Sequence, residues 1–186
     1  GKTALSLALA RRLDAEIISG DSMLFYRGFD IGTAKPTKEE LSAVPHHFID
    51  ILAPEASFNV MDFQRLAREE IGRIAARGKL PLVVGGTGLY IKSLLEGYVF
   101  NETSGDRAYR EKLERQAQEK GKAFVHDLLQ EADPETAARL HVNDFRRVVR
   151  ALEVASLGNE HISEQREAAG GELAYDAYVI GLRRER

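Results

Sequence analysis

The residues able to do chemistry come early: Gly1, Lys2 and Thr3 open the chain, and GDSMLFYRGFDIGTAKP, from Gly20 to Pro36, adds an acid, a hydroxyl and a lysine shortly after them. Gly1, Lys2 and Thr3 match the last three positions of the phosphate loop G-x-x-x-x-G-K-[ST], without its front. In a complete loop the backbone N–H groups cradle phosphate at a helix N-terminus, the lysine reaches the outer phosphate, and the hydroxyl helps to hold Mg²⁺. Three residues are a weak signal alone. They gain weight from Asp21, a carboxylate that could take a proton from a substrate held beside the phosphate. Further on, Gly85, Gly86, Thr87 and Gly88 combine a hydroxyl with glycines that let backbone approach a ligand closely.

These side chains need elements to hold them. TALSLALARRL reads as a helix, and the short apolar run from Glu16 to Asp21 reads as a strand, the helix-then-strand order of a βαβ unit. A second strand is expected from His46 to Leu52. Ser57 or Asn59 could then cap a helix whose apolar positions Phe63, Leu66, Ile71 and Ile74 recur at helical spacing, with Gly78 closing it. Leu82, Val83 and Val84 form the continuous apolar run of a strand buried on both faces in a parallel sheet. Ligands in open α/β sheets bind at the carboxyl ends of strands, so Gly85 to Gly88 fall on the same rim as Gly1 to Thr3 and Asp21. After Gly97 the pattern changes to charged helical segments, roughly residues 106–121, 123–131, 134–141 and 144–157. This suggests a helical insertion, after which Ala177 to Leu182 would return to the sheet as a last strand.

With 186 residues, 44% hydrophobic, the chain can bury a core and fits one or two domains. Its net charge of −3 advertises no nucleic-acid partner, so RNA binding has to be argued locally. No apolar run reaches the roughly 18 residues of a membrane span. The absence of cysteine excludes disulfides and thiolate metal sites and is compatible with a reducing cytoplasm. Because it starts inside a motif and stops in the charged run GLRRER, the chain reads as a fragment truncated at both ends.

In order along the chain, GKT, SGDSM with DIGTAKP, VPHHFIDI, VVGGTGLYIKSLLEG and NDFRRVVRALEV resemble the bacterial tRNA dimethylallyltransferase family over essentially the whole length. The resemblance implies transfer of a dimethylallyl group from dimethylallyl diphosphate to the exocyclic N6 of the adenosine at tRNA position 37, in tRNAs reading codons that start with U. It implies an α/β, P-loop NTPase-like three-layer core with a parallel sheet over residues 1–100 and 173–186. A helical insertion domain over residues 101–172 would grip the anticodon stem-loop. It also implies a cytoplasmic, Mg²⁺-dependent monomer. Asp21, Thr3 and Thr87 would be catalytic, and Gly1, Lys2 and Thr3 would bind diphosphate, with Thr3 on Mg²⁺. The tRNA would be met by Asp21, Ser22, Met23, Leu24, Thr87, Arg110 and the run Arg146, Arg147, Val148, Val149 and Arg150. The family usually carries Gln where this chain has Leu24, so one polar contact to tRNA is missing. Arg146, Arg147 and Arg150 share one helix side, opposite Phe145, Val148, Val149 and Leu152.

Each residue also has a plainer reading. Asp21 could be a helix cap, Thr87 could serve its turn alone, and the arginines could be a solvated helix surface. Lys35 could bind phosphate or be a solvated turn lysine. His46 and His47 are adjacent on a strand, point to opposite faces, and make no metal pair. The competing functions are prenyl transfer to free adenine nucleotides, which would lack the insertion, a small-molecule kinase, and a non-catalytic RNA-binding relative.

Overall fold

The computed structural model describes residues 1–98, 107–156 and 173–183. Two compact units emerge, one formed by Gly1–Tyr98 with Leu173–Arg186 and one by Val99–Glu172.

The first unit is mixed α/β around a small parallel sheet. Helix α1 (Lys2–Leu13) leads into β1 (Ala15–Ser19), and α2 (Lys38–Ala43) precedes β2 (His46–His47). Helix α3 (Val60–Ala76) runs to β3 (Leu80–Val84), and α4 (Gly88–Leu95) follows. The strand order is β2-β1-β3, with Ile17 opposite His46 and Leu82. All five residues of β1 are buried, as befits a central strand. Alternate side chains leave a strand on opposite faces. Accordingly Ala15, Ile17, Leu82 and Val84 pack with Leu7 and Ala10 of α1, while Val83 joins Phe63, Ala67, Tyr90 and Leu94 of α3 and α4. Helices therefore cover both faces of the sheet.

Helix α3 starts where the Asn59 side chain accepts hydrogen bonds from Met61 N and Asp62 N while Asp62 Oδ2 accepts one from Asn59 N, a reciprocal capping box. Ser57 is not the cap. Gly78, at φ 73°, follows its end, a conformation glycine adopts without a Cβ penalty.

Three strand expectations need correction. Pairing of β2 stops at His47 because Phe48 and Asp50 take φ of 68° and 55°, which turns the chain out of extended geometry. The chain then runs beside the segment after Asp21: Asp50 N donates to Leu24 O, Leu52 N to Phe25 O, and Arg27 N to Leu52 O. Second, β3 is an outer strand, and Leu80 is exposed with the rest half-buried, so it is not the fully buried strand expected. Third, Ala177 to Leu182 forms no strand; Tyr178, Val179, Ile180 and Leu182 stand exposed. An apolar β-branched pattern makes a strand only when a neighbour supplies its ladder.

The second unit packs α5 (Arg107–Lys120), α6 (Lys122–Ala132), α7 (Pro134–Arg139) and α8 (Phe145–Ser156) around Leu113, Val125, Leu129, Ala137, Val148, Val149 and Leu152. Asp133 caps α7 by accepting from Thr136 N, with Pro134 at the first helical position. Among the described residues no helix is long and apolar enough to cross a membrane.

Candidate active site

The rim at the carboxyl ends of β1 and β3 is where the chemistry-bearing residues of the first unit gather. Gly20 N donates to Val84 O at 2.8 Å, continuing the β1–β3 pairing past the last strand residue. The two chains come so close there that a Cβ on Gly85 would lie 2.2 Å from the backbone C and O of Gly20. Only glycine fits.

Beyond this contact the two segments are cross-linked by side chains. Thr87 Oγ1 accepts from Ser22 N at 3.0 Å and lies 3.2 Å from Ser22 Oγ. Thr87 is the N-cap residue of α4, yet its side chain makes no capping bond. Its hydroxyl serves the neighbouring segment, which decides against a role confined to its own turn. Asp21 Oδ1 accepts from Met23 N at 3.1 Å, a local turn that holds the carboxylate in place. Its other oxygen, Oδ2, faces Gly86: a Cβ there would be 3.5 Å from Asp21 Oδ2 and 2.8 Å from Lys2 Nζ. The missing side chain of Gly86 thus leaves a cradle shared by the lysine ammonium and the carboxylate. Lys2 begins α1 with Gly1 as its N-cap, and no side chain caps that first turn. Thr3 is half-buried in the same turn, with its carbonyl accepting from Ser6 Oγ.

The Asp21 segment is anchored from behind. Phe25 is fully buried, stacked on Phe63 of α3 at 6.1 Å and on Tyr90 of α4 at 6.0 Å, with Phe58 edge-on at 5.0 Å. One aromatic cluster therefore fixes both Asp21 and the helix that carries Thr87. Burial raises the Tyr90 phenol pKa above its ordinary value.

Lys35 is not a solvated turn lysine. Its side chain is 7% exposed, and its ammonium bonds Asp50 Oδ1 at 2.5 Å, Asp30 Oδ1 at 2.7 Å and Tyr26 O at 3.1 Å. Burial pulls its pKa down, but the bonds to Asp30 and Asp50 outweigh that and leave it raised. Lys35 is a latch closing the loop after Asp21. The histidines lie apart from this rim: His46 Nδ1 meets Val44 O, while His47 sits between Glu16, at 2.7 Å, and Glu70, at 3.2 Å. Arg77 Nη2 also bonds Glu16 at 2.7 Å. This bond, against the opposing effect of burial, keeps the Glu16 pKa below the ordinary carboxylate value.

On the second unit, Arg146 and Arg147 are exposed on α8 and Arg150 is half-buried. Val148 and Val149 are 1% and 6% exposed. Their side chains serve the core of the second unit. Arg110 is tied to the buried Glu153. Glu153 and Phe25 went unremarked in the sequence. Glu153 carried a signal, since a carboxylate four residues after Val149 interrupts the apolar face of α8. Phe25 carried none beyond its neighbourhood.

The IPP transferase family model matches residues 24–186. A tRNA dimethylallyltransferase of Bacillus cytotoxicus and one of Bacillus anthracis are each 53% identical over all 186 residues. The chain spans 59% of the length of these curated relatives. Among solved structures, the tRNA isopentenylpyrophosphate transferase of Bacillus halodurans superposes with a TM-score of 0.55 at 49% identity, covering 87% of this chain and 54% of that one. A eukaryotic dimethylallyltransferase described as acting on tRNA gives a TM-score of 0.79 at 30% identity over 95% of this chain and 44% of its own. The matched region takes in the latch lysine, Gly86 with Thr87, and the arginines of α8, while Lys2 and Asp21 precede it, and the chain belongs to the IPP transferase family.

Proposed function

We propose that the protein transfers a dimethylallyl group from dimethylallyl diphosphate to N6 of adenosine 37 in tRNAs reading codons that start with U. The observation that carries this reading is that Asp21 Oδ2 and Lys2 Nζ both face the open position at Gly86, beside the Ser22–Thr87 link. A base and a phosphate-binding cation at one point are what alkylation of an amine by an allylic diphosphate requires.

The adenine amine is a weak nucleophile because its lone pair is delocalised into the ring. In this reading N6 bonds the allylic carbon as that carbon's bond to diphosphate oxygen breaks, and the N6 proton passes to Asp21. General-base help of this kind is worth about 10² to 10⁴-fold. Lys2 and the uncapped amides of the first α1 turn stabilise the charge gathering on the diphosphate. The P-loop thus holds a leaving group rather than a phosphoryl donor. Ser22 and Thr87 set the base against Asp21.

Mg²⁺ binds few protein oxygens and relies on substrate phosphates and water for the rest. A hydroxyl at Thr3 near the start of α1 suits that pattern, and among the described residues no group of three or more His, Cys, Asp or Glu forms a separate metal cage. When bound there, the ion would neutralise diphosphate charge.

The target base has to leave the anticodon loop stack, at a cost of a few kcal/mol. Backbone contacts from the arginines of the α5–α8 bundle would offset it. That bundle favours a tRNA acceptor over a free adenine nucleotide. A cytoplasmic monomer completes the reading.

The test incubates the full-length protein with dimethylallyl diphosphate, Mg²⁺ and unmodified tRNA, with mass spectrometry of the nucleosides. Prenylated adenosine is expected, reduced about 10² to 10⁴-fold in Asp21→Asn. No product from the wild type, or full activity in the variant, would refute the reading.

A further inference from the structure

Glu153 is the feature of the second unit that packing alone does not account for. It lies on the buried side of α8 among Val149, Leu152 and Val154 and has no solvent exposure. Its Oε1 accepts from Arg110 Nε at 2.5 Å, and its Oε2 accepts from Arg110 Nη2 at 3.0 Å, a two-pronged grip from α5. Oε2 also accepts from Arg150 Nη1 at 3.3 Å, one turn back on the same helix. This bonding, against the opposing effect of burial, holds the Arg110 pKa above its ordinary value.

A buried ion pair adds little stability over an apolar residue of the same size. Stability therefore does not explain why a carboxylate occupies this site. Orientation does. Two guanidiniums on one carboxylate leave a net positive charge, and the side chains of Arg110 and Arg150 remain 47% and 42% exposed. Each arginine has five N–H donors in a rigid fork. Arg110 spends two of its nitrogens on Glu153 and Arg150 spends one. Donors are left for a ligand on groups that can no longer swing freely, which lowers the ordering cost of binding. Exposed Arg146 and Arg147 on the preceding turn extend the charge along α8.

We propose that Glu153 is a positioning residue for RNA, whose buried carboxylate sets Arg110 and Arg150 as one fixed cationic pair that receives the tRNA phosphate backbone. This rests on the tRNA-modifying reading above.

The test is steady-state prenylation by the full-length protein, varying tRNA and dimethylallyl diphosphate separately. Glu153→Gln keeps the shape and loses the charge. It is expected to raise the KM for tRNA about tenfold, leaving kcat and the KM for dimethylallyl diphosphate within about twofold. Arg110→Lys keeps the charge and loses the fork, and is expected to raise the tRNA KM similarly. The double variant should be no worse than the more affected single one, because both act through one unit. An unchanged tRNA KM in folded Glu153→Gln overturns the proposal, as do fully additive losses. If Glu153→Gln does not fold, Arg110→Lys decides, and an unchanged tRNA KM there overturns it. A wild type that prenylates no tRNA instead refutes the functional reading, and the Glu153 role falls with it.

Discussion

Two adjacent glycines on the candidate rim should separate catalysis from folding. In Gly86→Ala the new methyl would stand 2.8 Å from Lys2 Nζ and 3.5 Å from Asp21 Oδ2. Non-bonded heavy atoms rest at about 3.5 Å or more, so the ammonium must retreat by about 0.7 Å. The obstacle is the end of a flexible side chain, so the fold absorbs it and stability should change by less than about 1 kcal/mol. The Lys2 ammonium does not recover its place. A displacement of about 1 Å at a reacting group can cost about 10²-fold, so kcat/KM should fall about 10- to 100-fold, or about 1.4–2.7 kcal/mol in the barrier. Gly85→Ala meets an immovable obstacle, the Gly20 backbone at 2.2 Å. It should cost about 3 kcal/mol or more in stability by forcing β1 and β3 apart. Denaturant unfolding and prenylation kinetics on the two variants check both halves. Full activity in Gly86→Ala, or equal destabilisation by the two substitutions, would show that the cradle reasoning is wrong.

Thr87→Val removes the acceptor of Ser22 N and should cost about 1–3 kcal/mol of stability along with most activity, whereas Thr87→Ser should retain both; equal behaviour of the two would exclude the hydroxyl link. Phe25→Ala empties the centre of the aromatic cluster and should lower stability by about 3–5 kcal/mol in denaturant unfolding; a loss under about 1 kcal/mol would count against it as the anchor. Lys35→Met leaves Asp30 and Asp50 without their shared cation, and faster amide exchange should follow in Leu24 to Arg27, which pair with Asp50 to Leu52. Unaltered exchange there would dismiss the latch. The folded Glu16 carboxyl has a pKa below its reference of 4.5, so its contribution is complete above that pH and is lost as pH falls through the lowered value. The thermal midpoint should therefore drop more between pH 7 and about pH 3 in the wild type than in Glu16→Gln, and parallel slopes would contradict this.

The sequence by itself determined the elements whose signals are local. Helices α1, α3 and α5 to α8 follow from apolar periodicity and charged helical patterning, with a cap at Asn59, and β1 and β3 from short apolar runs. Asp21, Thr87 and the glycines could be assigned to one rim because strand order in an α/β chain constrains where loops end. Tertiary structure decided everything that depends on a partner far along the chain. His46 to Leu52 has the residues of a strand, but positive φ at Phe48 and Asp50 sends it to pair with Leu24 to Arg27. Ala177 to Leu182 has the pattern of a strand and no ladder to join. The sequence left a turn role open for Thr87 beside a chemical one, and only the fold brings its hydroxyl to Ser22, 65 positions away. Lys35 looked exposed until two aspartates enclosed it, and the arginines of the second unit looked free until Glu153 claimed Arg110 and Arg150. Periodicity and capping are written within a few residues, whereas the ion pairs and close approaches that aim side chains are created only when separate segments meet.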